Sequence, residues 1–166
     1  MRHTLSVLFE NKFNAIPRIV GLFSGRGYNI NSISFGQGED PETTRATITT
    51  YGDEKVVEQI AKQLNKLVDV IKVTNLTQTS FVERELALVK VQATTATRTE
   101  IMQVTDIFRG TIIDVSAKSL TIEITGKEDK INAAIGMLEP FGIREISRTG
   151  SAALKREYNP KAVTNE

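Results

Sequence analysis

Two predicted elements meet in the stretch Phe23-Ser24-Gly25-Arg26-Gly27-Tyr28-Asn29-Ile30-Asn31. The helix before it carries apolar residues at the i, i+3, i+4, i+7 spacing of a single face: Ile16, Ile19, Val20 and Phe23. Gly27 suits the left-handed backbone position that ends many helices. Asn29 then opens the next predicted strand. An apolar run at 4–10 precedes the helix, so the stretch completes a β-α-β order.

The rest of the first half continues this order. Apolar runs predict strands near 30–35, 45–51 and 70–73. Gly52-Asp53-Glu54 begins a second helix and places acidic residues at its positive end. The apolar face predicted for this helix consists of Val57, Ile60, Ala61, Leu64, Leu67 and Val68. The resulting order, β-α-β-β-α-β, is that of the ferredoxin-like split unit.

The second half repeats the same order. Strands are predicted at 86–91, 112–115, 120–124 and 143–146. The two helix faces between them are Ile101, Val104, Ile107 and Phe108, and then Ile131, Ile135 and Leu138. The sequence therefore predicts an α+β protein with two tandem ferredoxin-like βαββαβ domains. We place the domains at 1–78 and 83–158 and expect a disordered tail at 159–166.

Composition excludes several classes of protein. The net charge is +1, from 21 basic and 20 acidic residues, which does not favour nucleic acid as a partner. The chain has no cysteine, so disulfides and thiolate metal sites are excluded. It also lacks an apolar run near the length of a membrane span. We expect a cytoplasmic protein that binds neither nucleic acid nor membrane.

Two functions that this fold often supports are disfavoured by particular residues. An RNA-recognition motif needs stacking aromatic residues on its third strand, whereas that strand reads Arg45-Ala46-Thr47-Ile48-Thr49-Thr50. Catalysis by histidine would have to use His3, the single histidine, which we interpret as an exposed residue at a strand end. Binding of a small ligand remains.

Asn11 and Asn29 are the candidate ligand-binding residues. Both turns are expected to face each other at one edge of the first unit, where the amide side chains could hold the ammonium and carboxylate of a free amino acid. The free amide donors at the helix start also favour a carboxylate. Ile16 and Ile30 would line an apolar pocket. A second interpretation stays open, in which Asn11 only caps the helix and Asn29 only turns the chain.

Several long runs resemble one known family. In the first half they are Ser6-Val7-Leu8-Phe9-Glu10-Asn11, residues 22–30, Gly52-Asp53-Glu54-Lys55-Val56-Val57-Glu58-Gln59-Ile60 and Lys66-Leu67-Val68-Asp69-Val70. In the second half they are residues 82–91 and Ile107-Phe108-Arg109-Gly110-Thr111-Ile112-Ile113-Asp114-Val115. With these runs the chain resembles the regulatory small subunits of acetolactate synthase, also called acetohydroxyacid synthase, over roughly residues 2 to 158.

The resemblance implies a function as well as a fold. The first unit would be an ACT domain, the amino-acid-sensing version of the fold, and would form a homodimer. The chain would have no active site and would activate a separate catalytic large subunit, which alone would hold thiamine diphosphate, Mg and FAD. Valine or another branched-chain amino acid would inhibit the complex by binding between paired ACT domains, and the family pairing implies that the Asn11 loop of one chain faces the Asn29 region of its partner. An ACT protein that regulates some other enzyme is the alternative.

The effector residues implied by the resemblance are Asn11, Asn14, Ala15, Ile16, Asn29 and Ile30. One of them departs from the family pattern, because Asn14 stands where the loop usually has glycine, three positions after Asn11. Asparagine also tolerates the left-handed backbone, but its side chain adds bulk where glycine would let a ligand approach. We therefore expect weak or absent inhibition by valine. Two small units with open sheet edges also favour pairing with a second copy.

Overall fold

The computed structural model describes residues 1–157 and divides into two compact units. The first contains Met1–Val82 together with the segment that begins at Ser151, and the second is Glu83–Gly150. The boundaries proposed from the sequence, 1–78 and 83–158, place that segment with the second half, whereas its contacts group it with the first. The tail predicted at 159–166 lies outside the described residues. Within the described part of the chain, no helix is long and apolar enough to cross a membrane.

The first unit has the predicted order of elements. They are β1 (Arg2–Glu10), α1 (Ala15–Gly25), β2 (Ser32–Gln37), β3 (Thr43–Tyr51), α2 (Glu54–Leu64) and β4 (Val70–Asn75). The strands form an antiparallel sheet in the order β2-β3-β1-β4. One face of this sheet packs against both helices through a core that includes Leu5, Val7, Phe9, Ile48 and Ile60.

The second unit repeats the arrangement. Its elements are β5 (Phe81–Gln92), α3 (Arg98–Ile107), β6 (Thr111–Val115), β7 (Ser119–Gly126), α4 (Glu128–Leu138) and β8 (Ile143–Arg148). The strand order is β6-β7-β5-β8. A further strand, β9 (Ala152–Lys155), lies in the segment grouped with the first unit and pairs with β5, which begins in that unit at Phe81. The predicted α+β class with two ferredoxin-like βαββαβ units is therefore confirmed.

The buried face of α1 differs from the predicted one. The residues that it buries are Ala15, Ile19 and Phe23. Ile19 and Phe23 are buried as predicted, whereas Ile16 and Val20 remain 37% and 39% exposed, so the buried face is rotated by roughly 60° from the predicted one. Apolar residues occupy more than half the circumference of this helix, and a periodic pattern does not distinguish the part that the sheet covers. Ile16 and Val20 thus form an apolar strip on the outside of the first unit.

A similar correction applies to α3. Ile107, predicted to point inward, is 71% exposed, and Thr105 is buried instead. The Thr105 hydroxyl donates a hydrogen bond to the carbonyl of Ile101 at 2.8 Å, which satisfies the buried polar group. Val68, expected on the face of α2, is also exposed, because that helix ends at Leu64.

The predicted end of α1 is confirmed. Gly27 has a φ of +67°, in the left-handed region. The Tyr28 amide donates to the carbonyl of Phe23 at 2.9 Å, and the Gly27 amide donates to Ser24 at 3.3 Å. This pair of bonds is the Schellman motif, which satisfies carbonyls that the helix leaves unpaired.

The segment after Ser151 covers polar residues of the first unit. The Ser34 hydroxyl donates to the carbonyl of Ser151 at 2.7 Å, and the Ala153 amide donates to the Thr47 hydroxyl at 3.1 Å. Thr47 is thereby buried although it lies on the sheet face opposite the helices. The sequence pattern did not predict β9, because its partners are distant in the chain and include Ser34 and Thr47, which are more than 100 residues away.

Candidate functional site

The Asn11 end of the first unit lies just beyond β1. The Asn11 amide donates to the carbonyl of Glu42 at 2.7 Å, and its side chain is exposed. The residue that precedes α1 is Asn14, not Asn11. The interpretation of Asn11 as a helix cap is therefore wrong, and its side chain is not committed to the helix.

Asn14 occupies the N-terminal cap position of α1, but its side chain does not accept a hydrogen bond from the helix, as a capping asparagine usually does. Its backbone has φ −97° and ψ 1°, and its side chain makes no capping hydrogen bond. The left-handed backbone that asparagine tolerates is therefore not adopted, and the side chain is exposed at the start of the helix. Ala15 is buried in the core, whereas Ile16 is on the exposed strip. Only Asn14 and Ile16 of these three residues can present side chains to a ligand.

The Asn29 end lies between α1 and β2. The carbonyl of Asn29 accepts a hydrogen bond from the Thr50 hydroxyl at 2.5 Å, while its side chain is exposed. The strand begins at Ser32, three residues later than the predicted opening. Ile30 is half-buried against the core of the first unit. Thr50, which sequence reasoning did not select, therefore fixes the backbone of this turn.

The two ends are far apart within one chain. Asn11 is held beside Thr43 of β3, whereas Asn29 is held beside Thr50 of the same strand. Seven residues of extended strand span about 24 Å, and the 11 residues of α1 span about 16 Å. The expectation that both turns face each other in one chain is wrong. The reason is that α1 runs back along the sheet and carries the chain to the opposite end.

His3 also differs from its predicted environment. It lies inside β1, opposite Thr50, and is only 4% exposed. Neither ring nitrogen has a hydrogen-bond partner among the described residues. The expectation of an exposed strand-end histidine is wrong, because β1 already begins at Arg2 and His3 therefore lies within the sheet. His3 thus belongs to the buried layer beneath the Asn29 turn.

An open cavity of about 540 Å³ lies beside Asn11. Its lining consists of Glu10, Asn11, Lys12, Asp40, Pro41, Glu42, Thr43 and Ile71. Lys12 forms an ion pair with Glu10, and this hydrogen bond raises the pKa of Lys12 above its usual value. Three carboxylates therefore face one ammonium group that is already paired. This charge balance favours a cationic group, such as the ammonium of an amino acid, on the cavity side of Asn11.

Two family models match the chain. One, described as the AHAS small subunit-like ACT domain, matches residues 5–72, and the other, described as the small subunit of acetolactate synthase, matches residues 84–157. The chain belongs to the acetolactate synthase small-subunit family. The resemblance inferred from the sequence runs is thereby confirmed, and the first unit is an ACT domain.

Individual relatives of the small-subunit family extend over nearly the whole chain. The acetolactate synthase small subunit of Aquifex aeolicus is 46% identical and aligns over 99% of this chain and 86% of its own length. The acetolactate synthase isozyme 3 small subunit of Salmonella typhimurium is 49% identical and aligns over 94% of this chain and 96% of its own length. A crystal structure of the small subunit from Thermotoga maritima superposes with a TM-score of 0.86 at 44% identity and covers 96% of this chain and 99% of that one.

Proposed function

We propose that this chain is a regulatory subunit that activates the catalytic large subunit of acetolactate synthase and confers inhibition by a branched-chain amino acid, with valine as the first candidate. Membership of the small-subunit family supports the partnership with the large subunit. In this proposal the chain has no active site of its own, and thiamine diphosphate, Mg and FAD are held only by the catalytic subunit.

The position of the two asparagines at opposite ends of α1 is the observation that carries the sensing function. The exposed strip of Ile16 and Val20 lies on the helix between these ends. A two-fold axis across the middle of α1 would pair the strips of two chains and bring the Asn11 end of one chain to the Asn29 end of its partner. Such a homodimer has two equivalent effector sites, each built from both chains.

The chemistry of the two ends supports an amino acid as the effector. The Asn11 end carries the acidic cavity, which attracts an ammonium group. At the start of α1 the Ala15 amide donates to the carbonyl of Lys12, and Pro17 has no amide hydrogen. Ile16 would therefore supply the backbone amide that binds a carboxylate. Ile16 from one chain and Ile30 from the other would then enclose an aliphatic side chain. A small branched residue such as valine satisfies all three requirements.

The variant Val20→Lys is expected to prevent formation of this dimer. Val20 lies at the middle of α1, so a lysine there would place two positive charges near the two-fold axis, without apolar surface to offset their desolvation. Light scattering at micromolar concentration should give a dimer or larger assembly for the original chain and a smaller mass for the variant. Val68→Lys is the matched control, because Val68 is an exposed valine outside the strip and its replacement should leave the mass unchanged. A dimeric Val20→Lys protein would contradict the proposed interface.

Titration against the catalytic subunit tests the proposed function itself. The isolated chain should not turn over pyruvate and should not bind thiamine diphosphate, whereas its addition to the large subunit should raise turnover severalfold. Unchanged rates across a full titration would refute the regulatory proposal. If the chain nevertheless bound valine, the alternative of an ACT protein that regulates another enzyme would be favoured. A pull-down from the source cell that fails to retain the large subunit would support the same alternative.

A further inference from the structure

One turn of the second unit has an unusual backbone. Arg109 has a φ of +51° and is the only non-glycine residue with a positive φ among residues 1–157. It ends α3 in a Schellman motif, in which the Gly110 amide donates to Thr105 at 2.8 Å and the Arg109 amide donates to Asp106 at 2.9 Å. A side chain other than that of glycine is strained at this position, and such strain often marks a functional residue.

The fold does not require arginine at this turn. In the first unit the same motif ends α1, and there Gly27 occupies the left-handed position. The requirement for glycine at the neighbouring Gly110 is different, because an added Cβ would lie 3.0 Å from the carbonyl oxygen of Glu123. Packing therefore explains Gly110, whereas no contact within the second unit explains the side chain of Arg109.

The side chain of Arg109 is exposed and has no hydrogen-bond or ion-pair partner within the described part of the chain. Ile107, two residues earlier, is 71% exposed. After it, the register of β6 shifts between Ile112 and Asp114, which takes Ile113 out of the regular ladder and leaves it 49% exposed. Bulges of this kind redirect a side chain and commonly occur at functional edges. Arg109 is thus flanked by exposed isoleucines on both sides in the chain.

We propose that the segment 107–115 of the second unit docks on the catalytic large subunit, with Arg109 bound to a carboxylate of that subunit and Ile107 and Ile113 packed on apolar surface around it. This inference rests on the proposed function, which supplies the partner. An unpaired guanidinium calls for a carboxylate, which it binds with two parallel hydrogen bonds. Arginine surrounded by apolar side chains is also typical of residues that dominate interface affinity. β6 is an edge of its sheet, so its outer side is open to a partner.

The variant Arg109→Gly separates docking from folding. Glycine suits the left-handed position, so the melting temperature should be unchanged or higher. The concentration of chain that half-activates the large subunit should nevertheless rise at least about tenfold, as expected for loss of a central interface arginine. Arg109→Lys should give a smaller increase, because it keeps the charge and loses the planar fork. Arg144→Ala is the control, since Arg144 is another exposed arginine of this unit and its loss should leave half-activation unchanged.

Each result supports or overturns the inference. If the original chain does not activate the large subunit at all, the proposed function fails before the variants are compared. If the original chain activates and Arg109→Gly has the same half-activating concentration, docking through Arg109 is refuted. If Arg109→Gly instead lowers the mass of the isolated chain while its half-activating concentration stays the same, the segment contacts a second copy of this chain, which also overturns the proposal.

Discussion

A mixed dimer of one Asn11→Ala chain and one Asn29→Ala chain is expected to keep the inhibition by valine that the original chain shows, although dimers of either variant alone lose it. Each asparagine would contribute a hydrogen bond to a charged group of the effector, which is worth about 1.5–3 kcal/mol. The loss corresponds to roughly ten- to a hundredfold weaker binding. In the mixed dimer, one site contains both alanines and the other contains both original asparagines. The second site should bind valine with its original affinity.

A second mixed dimer provides the matched control. It combines an original chain with a chain that carries both Asn11→Ala and Asn29→Ala, so the number of altered residues is the same. If each site draws Asn11 from one chain and Asn29 from the other, both sites in this dimer are damaged and inhibition is lost. The measurement is an inhibition curve for each mixed dimer, isolated with two different affinity tags, on the same large subunit. Inhibition of the control but not of the first mixture would place each site within one chain.

Asn14→Gly is expected to strengthen inhibition by valine. The Asn14 side chain is exposed at the helix start without a capping bond, so it occupies space near the Ile16 amide that would receive the carboxylate. A steric misfit in a close-packed site costs about 1–3 kcal/mol, which exceeds the 0.5–1.5 kcal/mol of one added hydrogen bond. The affinity for valine should therefore rise by roughly five- to a hundredfold. The loss of stability should be only about a few tenths of a kcal/mol, since glycine is tolerated at helix caps.

Asn14→Ala distinguishes the two ways in which glycine could act. Because Asn14 has a φ of −97°, the turn does not need the backbone freedom of glycine, and alanine should give most of the gain in affinity. If glycine strengthened inhibition and alanine did not, the turn would have to change its backbone when the effector binds. Weaker inhibition in both variants would show that Asn14 binds the ligand and that the expected direction is reversed.

Local chemistry made much of the fold predictable. The left-handed end of α1 at Gly27 followed from a glycine placed after a helical pattern, and its hydrogen bonds are those expected. The start of α2 followed from Asp53, whose side chain accepts a hydrogen bond from the Val56 amide at 2.8 Å. Such signals depend on residues within one or two turns of each other, so a sequence contains all of their information.

The candidate site was predictable only in part. The sequence selected Asn11, Asn14 and Asn29, but the finding that Asn11 and Asn29 lie at opposite ends of one unit required the direction of α1 across the sheet. It also gave no sign of Thr50, whose hydroxyl holds the Asn29 carbonyl from another strand. A hydrogen bond between residues 21 positions apart has no periodic signature.

The sequence by itself thus determined the two β-α-β-β-α-β units, the end of α1 at Gly27 and the family, because these depend on local patterns and long runs of matching residues. Only the tertiary structure decided which apolar residues are core. Ile16 and Ile19 are alike in hydrophobicity, yet the sheet covers Ile19 and leaves Ile16 on the outer strip. Burial of His3 has the same cause, since neighbouring elements, and not the residue's own polarity, exclude water from a strand.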